Sequence, residues 1–596
     1  MAVELESVPG ERAAEGKENK AAEEGCPVER PLELDFSPVV PMVLVGSKCR
    51  RPLHNAPQGS DERPVCLMHS KDPNKAQGEL FEAFWREFEL ILEAAGENEA
   101  HFEGFSFPKL DLGERRFAAI CRFGYATFTQ DVSFVGATFT QDVSFVGATF
   151  TQRANFNKAT FTHATFYEAK FKQDTDFTNA TFTNANFVGA KFRQGASFTG
   201  ATFAQHANFT GAIFVVATLT QDATFTEEAT FTHDTSFARA TFTERALFVN
   251  ATFTEGAAFV DATFTKGADF SRATFTERAD FLNATFTEGA DFSRATFTKM
   301  ANFEGTKFRG TATWRASRFL ESAAFRYTKF EPQFAEVPSA VFALASWSEP
   351  EKIIFDYVDL SQALFHNCDV SEVWFTSSVH WAKRGSHGDA VFEESVPLKY
   401  ATVLERDGER DYRAVAQIYQ QLKKNYDTRL DYWTANEFHF GEMEMKRLVT
   451  PIGGRLLRLR RWMHRCLSLT AWYRYASDYG NSYRKPLLRL LAVLVLFAGL
   501  FPLPGVGLRH SEASFTEKET YGSVWRLGSS VKQNLQGESK LVGKSMLVAV
   551  DMATFQRNPE YAPAYPCGRA LAIAETLLTS TLFALFLLAI RRQFRR

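Results

Sequence analysis

The sequence lacks the features that mark most enzymes and secreted proteins. Seven cysteines are scattered over 596 residues, which fits a reducing compartment rather than a disulfide framework. No glycine-rich phosphate loop, nucleophile elbow or close set of carboxylate and histidine side chains appears, so we expect no enzymatic activity. The formal net charge of −3 says little about partners, and we expect the basic segment near the C-terminus to contact a membrane rather than a nucleic acid, because an apolar span adjoins it.

Long apolar runs are missing from most of the chain and occur only near its C-terminus. Residues 1–24 are rich in Glu, Ala and Lys, without the apolar stretch of a signal peptide, and predict a disordered tail. The length of 596 residues exceeds what one hydrophobic core usually supports, so we expect several domains.

What the chain does have is a long internal repeat. Phenylalanine recurs at alternating spacings of five and six, as at Phe242, Phe248, Phe253 and Phe259. This spacing fits neither a helix face nor a long strand, and it favours a β-solenoid of short units. In the unit at 137–140, Ala137 and Phe139 should then face inward, and Thr138 and Thr140 outward.

The Ala-Thr-Phe-Thr units resemble the Ala-(Asp/Asn)-Leu-x-x units of pentapeptide-repeat proteins, with Phe at the centre. The resemblance implies a right-handed quadrilateral β-helix with one unit on each side. Residues 116–334 would form the main stack, and residues 335–400 would add a final coil and a loop after a lapse around Pro338. A coil of roughly 22 residues then gives about ten or eleven coils in total. The predicted fold class is an all-β solenoid with helical caps and a C-terminal two-helix transmembrane hairpin.

The solenoid surface carries no dominant charge. Between Arg122 and Phe334, Lys plus Arg number 20 and Asp plus Glu number 20. This balance argues against the DNA mimicry that some pentapeptide-repeat proteins perform. The outward Thr residues could form ranks of the kind found on ice-binding solenoids, or they could simply suit a pleated surface.

Residues 25–75 contain candidate zinc ligands. Cys66 and His69 form a Cys-x2-His half-site, and Cys26 and Cys49 precede it. Thiolate and imidazole are suitable ligands for tetrahedral zinc. His54 is a competing ligand, and the alternative to a metal site is a loosely packed cap with free thiols. We predict that zinc, if bound, is held by Cys26, Cys49, Cys66 and His69.

Helical segments flank the repeat. Residues 76–115 contain an apolar helical stripe and predict an N-terminal cap, which an open solenoid edge requires. Residues 401–448 carry a second stripe and predict a C-terminal cap.

The C-terminal region predicts a membrane hairpin. A basic segment, residues 449–486, precedes an apolar span, 487–508, and a second span with a basic tail occupies 569–596. The positive-inside rule places both termini and the solenoid in the cytoplasm, at the inner membrane, with residues 509–568 outside or re-entrant. The predicted contacts with the inner leaflet are Arg455, Arg458, Arg460, Arg461, Arg465, Arg591 and Arg592.

Two functions follow from this layout. The first is a membrane-anchored scaffold that presents the solenoid to a cytoplasmic protein partner. The second is a homo-oligomeric channel, because the segment order is similar to that of two-transmembrane potassium channels, although the Thr-Val-Gly-Tyr-Gly filter is absent. Its candidate pore-lining residues form one polar stripe: Glu575, Thr576, Thr579 and Ser580.

Overall fold

The computed structural model describes most of the repeat and the flanking helices. The described residues are 26, 29–32, 44–49, 51–57, 61–214, 223–225, 229–331, 334–385, 388–400, 405–406, 409–449, 466–501, 508–510, 546–554, 561–563 and 566–593. The predicted tail, 1–24, lies outside them. The chain divides into two compact units, of which the first is residues 1–382 with 391–404 and the second is residues 383–390 with 405–596.

The first unit is a β-solenoid whose coils contain four short strands each. Strands pair in parallel with their counterparts one coil away, so that Thr241 lies beside Thr263 and Phe242 beside Phe264. This register equals the 22 residues expected from two five-residue and two six-residue sides. Where three of the four sides have five residues, the register shortens by one residue, as between Thr160 and Thr181.

The strands form three stacked sheets. Two of them are single faces, with 11 and 12 strands, and the third is a double face that covers two sides of each coil. In three coils a strand of the double face continues across the corner between its two sides. The 11-stranded face consists of Ser106–Phe107, Thr127–Phe128, Thr149–Phe150, Lys170–Phe171, Lys191–Phe192, Ile213–Phe214, Thr241–Phe242, Thr263–Phe264, Thr285–Phe286, Lys307–Phe308 and Lys329–Phe330. The 12-stranded face consists of Leu110–Asp111, Val132–Ser133, Ala154–Asn155, Thr175–Asp176, Ala196–Ser197, Ala223–Thr224, Ala246–Leu247, Ala268–Asp269, Ala290–Asp291, Ala312–Thr313, Ala340–Val341 and Ala363–Leu364.

The double face closes the remaining two sides of each coil. It consists of Glu99–His101, Arg116–Phe117, Ile120–Arg122, Thr138–Ser144, Thr160–Thr165, Thr181–Asn186, Thr202–Phe203, Ala207–Asn208, Thr230–Phe231, Thr235–Ser236, Thr252–Phe253, Ala257–Ala258, Thr274–Phe275, Ala279–Asp280, Thr296–Phe297, Ala301–Asn302, Arg318–Phe319, Ala323–Arg326, Ser346–Trp347, Ile353–Asp356 and Trp374–Phe375. Separate two-stranded pairs are Glu29–Leu32 with Leu44–Lys48, Glu405–Arg406 with Glu409–Arg410, and Leu508–His510 with Tyr561–Pro563.

Phenylalanine columns fill the solenoid. The rings of Phe242, Phe264 and Phe286 stack with centroid separations of 4.9 and 4.6 Å and almost parallel planes. Rings of neighbouring columns meet edge to face, as Phe264 and Phe270 do at 5.9 Å. Both arrangements are favourable for aromatic pairs, and the burial of each ring adds a large hydrophobic contribution. The repeated Phe therefore forms a continuous core.

Ala and Thr occupy the positions that the alternation predicts. Ala137 and Phe139 are buried, whereas Thr138 and Thr140 are half-buried. The Thr140 hydroxyl donates to the Phe117 carbonyl of the preceding coil at 3.0 Å, and Thr162 and Thr243 make the equivalent bond. The second Thr of the unit thus links coils, which gives it a structural role.

The corners of the coil have a regular backbone. The residue before the Ala of many units has a positive φ, as at Arg239, Asp261 and Asn283. In the preceding unit an Asp or Asn often caps the corner, and the Asp291 carboxylate accepts from the Ser293 backbone N–H at 2.7 Å. Such Asx turns stabilise the local chain reversal.

The N-terminal boundary differs from the predicted one. Helix α1 covers Gly78–Ala95, and its buried Phe84 and Phe88 pack on Phe107 and Phe102. The strand Glu99–His101 already pairs with the next coil, so residues 99–115 belong to the solenoid and not to a cap of 76–115. The first coil lacks the Thr-rich repeat, which explains why the sequence pattern predicts a cap there.

The predicted lapse after Phe334 is also wrong. Strands continue through Ala340–Val341 and Ser346–Trp347, and Phe342 stacks on Trp314 at 4.8 Å. Insertions around Pro338 and Pro350 lengthen the corners without interrupting the stack. The solenoid accordingly has about twelve coils, judged from its 12-stranded face, rather than ten or eleven. Short 3₁₀ turns occur at Pro73–Ala76, Pro350–Lys352, Phe392–Glu394 and Leu398–Tyr400.

The second unit is helical. Helices α2, Tyr412–Thr428, and α3, Tyr432–Leu448, pack through Tyr419, Tyr426 and Phe438. They are capped at their N-termini by the Asp411 and Asp431 carboxylates. Further along the chain are α4, Leu469–Ser477, α5, Arg484–Leu500, a short helix α6 at 546–553, and α7, Pro566–Gln593.

One helix among the described residues is long and apolar enough to cross a membrane, Pro566–Arg592 within α7. The first predicted span, 487–508, corresponds to α5, which has 17 residues and ends at Leu500. At ~1.5 Å per residue it falls short of a bilayer core of ~30 Å. Residues 508–510 form a strand instead. The two-helix transmembrane hairpin is therefore not confirmed.

Candidate metal centre

Four side chains from separate parts of the N-terminal segment converge at one point. The Sγ atoms of Cys26, Cys49 and Cys66 and a ring nitrogen of His69 all lie within 4.8 Å of one another. All four residues are buried, and none of the three cysteines takes part in a disulfide bond. These are the four residues that the sequence nominated as zinc ligands.

The separations resemble those of a tetrahedral zinc site. With Zn–S bonds of ~2.3 Å and a Zn–N bond of ~2.0 Å, two sulfur ligands lie ~3.8 Å apart and a sulfur and a nitrogen ~3.5 Å apart. The Cys49 and Cys66 sulfurs are 3.9 Å apart, and Cys26 Sγ lies 3.5 Å from His69 Nδ1. Cys66 Sγ is somewhat closer to Nδ1, at 3.1 Å. A sulfur separation of 3.9 Å is too long for a disulfide, which requires ~2.05 Å.

A tight turn brings Cys66 and His69 together. The backbone N–H groups of His69 and Ser70 both donate to the Cys66 carbonyl, at 3.0 and 2.9 Å. The ammonium of the buried Lys75 donates to the carbonyls of Leu67, Met68 and Ser70 at 2.6, 3.1 and 2.9 Å. Burial lowers the pKa of Lys75 to about 7, but three carbonyl acceptors are suited to its charged form.

A backbone carbonyl outside the cluster determines the role of the histidine ring. His69 Nε2 lies 3.2 Å from the Glu103 carbonyl, which can only accept a hydrogen bond. Nε2 therefore carries a proton, and Nδ1 is the nitrogen left to bind a metal ion. A hydrogen bond from the other ring nitrogen to a carbonyl or carboxylate is usual for metal-ligating histidines.

The surroundings favour a negatively charged sulfur at Cys49. Arg51 Nη1 donates to Cys49 Sγ at 3.4 Å, and the Cys66 backbone N–H donates to Cys26 Sγ at 3.4 Å. Hydrogen bonds from the Cys26 and Cys66 thiols lower the pKa of Cys49. Burial lowers the pKa of His69, but hydrogen bonds to Cys26 and Cys49 raise it to about 9. Hydrogen bonds with Cys26 and Cys49, together with burial, raise the pKa of Cys66, so Cys49 loses its proton more readily than Cys66 does.

The competing ligand is engaged elsewhere. His54 Nε2 lies 2.9 Å from the carboxylate of Asp72, and His54 is not part of the group of converging ligands. Sequence reasoning missed the supporting residues Arg51, Lys75 and Glu103. The amino-acid sequence gives no signal for Glu103, because that residue acts through its backbone carbonyl and not through its side chain.

The residues predicted to contact the inner leaflet are only partly described. Arg455, Arg458, Arg460, Arg461 and Arg465 lie outside the described residues. Arg591 is exposed, at the end of α7. Arg592 is half-buried, and its Nη1 donates to the Tyr479 carbonyl at 2.6 Å, so this side chain joins two helical segments of the second unit.

The predicted pore stripe faces other helices of the second unit. Glu575 and Thr579 are buried, and Thr576 and Ser580 are half-buried. The Thr576 hydroxyl lies 3.1 Å from the Met552 carbonyl of α6. An apolar cluster containing Phe497, Val548 and Ala572 packs α5, α6 and α7 together on this side. The stripe is therefore an internal packing face of the single described chain.

Comparison with known proteins identifies the repeat. The family described as pentapeptide repeats matches in nine copies, which include residues 112–160, 123–170, 134–181, 156–202, 166–213, 177–227, 227–274 and 259–307. These copies cover the central coils, so the resemblance seen in the sequence is confirmed for the repeat region. No curated protein and no solved structure matches the chain.

Proposed function

We propose that the protein is a membrane-anchored scaffold, in which the pentapeptide-repeat solenoid presents a rigid surface to a cytoplasmic protein partner. The observation that carries this proposal is the combination, in one chain, of a continuous Phe-filled solenoid and the apolar helix Pro566–Arg592. The solenoid interior is filled by side chains, so binding takes place on its outer surface. The proposed topology follows the basic residues around α5 and after α7.

The membrane part of the proposal rests on more than the length of α7. Helix α4 exposes Leu469, Trp472 and Tyr475. Arg474 and Arg489 line a cavity of about 520 Å³ beside them. Exposed aromatic and aliphatic side chains next to basic groups are typical of segments that lie at the surface of an anionic membrane.

The solenoid offers a candidate contact for the partner. Tyr327 and Tyr357 lie at a corner on successive coils, with 51% and 59% of their surface exposed, and their rings stack at 5.0 Å. Trp374 is also exposed. Tyr and Trp dominate the binding energy of many protein interfaces, and a stacked pair is already ordered before binding.

Membrane integration is tested by extraction of the full chain from membranes at alkaline pH. Replacement of Leu577 and Phe583 by Arg should release the protein, because both side chains are exposed on α7 and each Arg near a helix centre costs ~3 kcal/mol on insertion. The control replaces the exposed Leu90 of α1 by Arg and should remain in the pellet. Release of the unmodified chain would contradict anchoring.

The scaffold role is tested by crosslinking in intact cells. Partners captured by the full chain should be lost on Tyr327→Ala with Tyr357→Ala, and kept on Tyr125→Ala, which removes an exposed Tyr from a distant coil. Equal capture by all three proteins would exclude the tyrosine corner as the contact. Protease treatment of inside-out vesicles checks the topology, since a cytoplasmic solenoid would be accessible there.

Pore formation stays a prediction. It requires an oligomer, and it assigns to Glu575, Thr576, Thr579 and Ser580 a second role beyond their packing within one chain. Flux through reconstituted protein should then change on Glu575→Gln, and flux that is absent from both proteins would exclude the pore.

A further inference from the structure

We propose that Cys26, Cys49, Cys66 and His69 form a structural Zn²⁺ site that clamps the N-terminal segment onto the first coil of the solenoid. The inference is independent of the scaffold proposal, because it concerns how one end of the stack is closed. It assigns a ligand class, a divalent d¹⁰ cation bound by three thiolates and one imidazole.

The ligand set indicates a structural rather than a catalytic ion. Three sulfur atoms and one nitrogen complete a tetrahedron, and all four residues are buried, with exposures between 0% and 7%. Catalytic zinc keeps a position open for water or substrate, whereas structural zinc is fully coordinated by the protein. Soft thiolate ligands also select zinc over magnesium or calcium.

The cluster joins three segments of the N-terminal region. Cys26, Cys49 and the Cys66–His69 turn are far apart in sequence, and each supplies at least one ligand. Among the described residues, the backbone bonds between these segments include Cys26 N–H to the Arg51 carbonyl, at 2.9 Å, and His54 N–H to the Val65 carbonyl, at 2.8 Å. A metal ion bound by all four side chains adds to these contacts, and small zinc modules depend on such a bond to fold.

The same cluster contacts the first coil directly. His69 Nε2 donates to the Glu103 carbonyl at 3.2 Å, and the Ser106 backbone N–H donates to the Met68 carbonyl at 2.8 Å. The His69 ring also packs in a T-shaped arrangement with the Phe105 ring, at a centroid distance of 5.0 Å. Zinc binding therefore orders the residues that cover the first coil, whose strand Ser106–Phe107 begins the 11-stranded face. An uncovered edge of this kind promotes aggregation.

The test begins with the metal content of the full chain, purified in detergent under reducing conditions. We expect one zinc per chain by mass spectrometry of the metal. Cys66→Ala should lower the affinity for zinc at least tenfold, and Cys121→Ala should not change it. Cys121 is the matched control, because it is a buried free cysteine of the first unit outside the cluster. A zinc-free chain with reduced thiols that binds no added zinc would overturn the proposal.

Cobalt identifies the ligands. After zinc is replaced by Co²⁺, three thiolates should give intense sulfur-to-cobalt charge-transfer bands, and tetrahedral geometry should give strong visible bands. Cys66→Ala should weaken the charge-transfer bands and Cys121→Ala should leave them unchanged. Spectra of octahedral cobalt without charge transfer would overturn the assignment even if the chain retained some zinc.

Hydrogen exchange separates the clamp from simple metal binding. Removal of zinc by a chelator should increase exchange at residues 99–107, which the cluster contacts, and not at residues 259–297 in the middle of the stack. Addition of zinc should restore protection in the unmodified chain and in Cys121→Ala, but not in Cys66→Ala. Unchanged exchange at residues 99–107 after complete zinc removal would exclude the clamp.

Discussion

The solenoid and the C-terminal helical unit differ in what they bury. The solenoid places Phe and Ala inside and keeps most charged side chains at its surface, where pairs such as Arg239 with Asp261 are 3.9 Å apart. The helical unit buries Glu442 and Glu444, together with Tyr479. A repeated apolar contact tolerates variation of the surface, whereas a buried carboxylate depends on particular partners. The two units should therefore fail under different perturbations.

The largest expected effect is in the Phe core. Phe264→Ala removes a ring that stacks on Phe242 and Phe286 at 4.9 and 4.6 Å. It should lower the free energy of unfolding of the solenoid by ~3–5 kcal/mol, because the truncation leaves a cavity in a rigid stack. Denaturant unfolding of the detergent-solubilised full chain measures it. Leu282→Ala, at a half-buried surface position, is the control, and equal losses for both variants would contradict a core made by the Phe columns.

Much of this core could be predicted from the sequence, because each position is repeated many times. The alternation placed Ala137 and Phe139 inside, and the burial of both confirms it. The ends of the solenoid could not be predicted in the same way. The coils near residues 99 and 340 have other residues of similar shape in place of the Thr-Phe repeat. Repetition identifies the middle of a solenoid better than its ends.

The N-terminal cluster and the membrane segment show the opposite limits. Cysteine and histidine are few, so the four candidate ligands could be nominated from residue type alone. The supporting contacts of Lys75 and the Glu103 carbonyl could not, because they depend on where the backbone runs in three dimensions. The hydropathy of 487–508 likewise did not reveal that α5 ends at Leu500, although Pro502 and Pro504 follow it.

The second perturbation is acid, directed at the helical unit. Burial raises the pKa of Glu442, but the His439 ring, whose Nδ1 lies 3.5 Å from Glu442 Oε2, and the hydrogen bond from Lys446 Nζ, at 2.6 Å, lower it to about 2, from an ordinary value of 4.5. Because the folded pKa is depressed, the stabilisation is fully present above pH 4.5 and is lost as the pH falls towards 2. The difference corresponds to about 3 kcal/mol.

The measurement is denaturant unfolding of the full chain, followed by the helical circular dichroism signal. At neutral pH the unmodified protein should be more stable than Glu442→Gln, which cannot ionise at this position. This difference should shrink between pH 4.5 and pH 2 and vanish below it. A difference that does not depend on pH would show that packing, and not the ion pairs of Glu442, carries the effect.

A smaller effect is expected where coils approach each other closely. Gly289 has a φ of 131°, and a Cβ atom there would lie 2.7 Å from the Thr311 carbonyl oxygen of the next coil. Gly289→Ala should therefore lower the free energy of unfolding by ~1–3 kcal/mol. Gly211→Ala provides the comparison, since it also has a positive φ but open space around the added methyl group. Equal losses would attribute the effect to the backbone conformation alone.

The smallest effect that should still be measurable concerns a corner. The Asp291 carboxylate accepts from the Ser293 backbone N–H at 2.7 Å, and Asp269 makes the same bond to Ser271 at 2.9 Å. Asp291→Ala should lower the free energy of unfolding by ~1 kcal/mol, because the corner N–H loses its partner. Asp291→Asn keeps an acceptor and should recover most of the stability, as Asn302 does at its own corner, accepting from the Glu304 N–H at 3.1 Å. If Asn were no better than Ala, the negative charge, and not the turn bond, would explain why acidic residues recur at these corners.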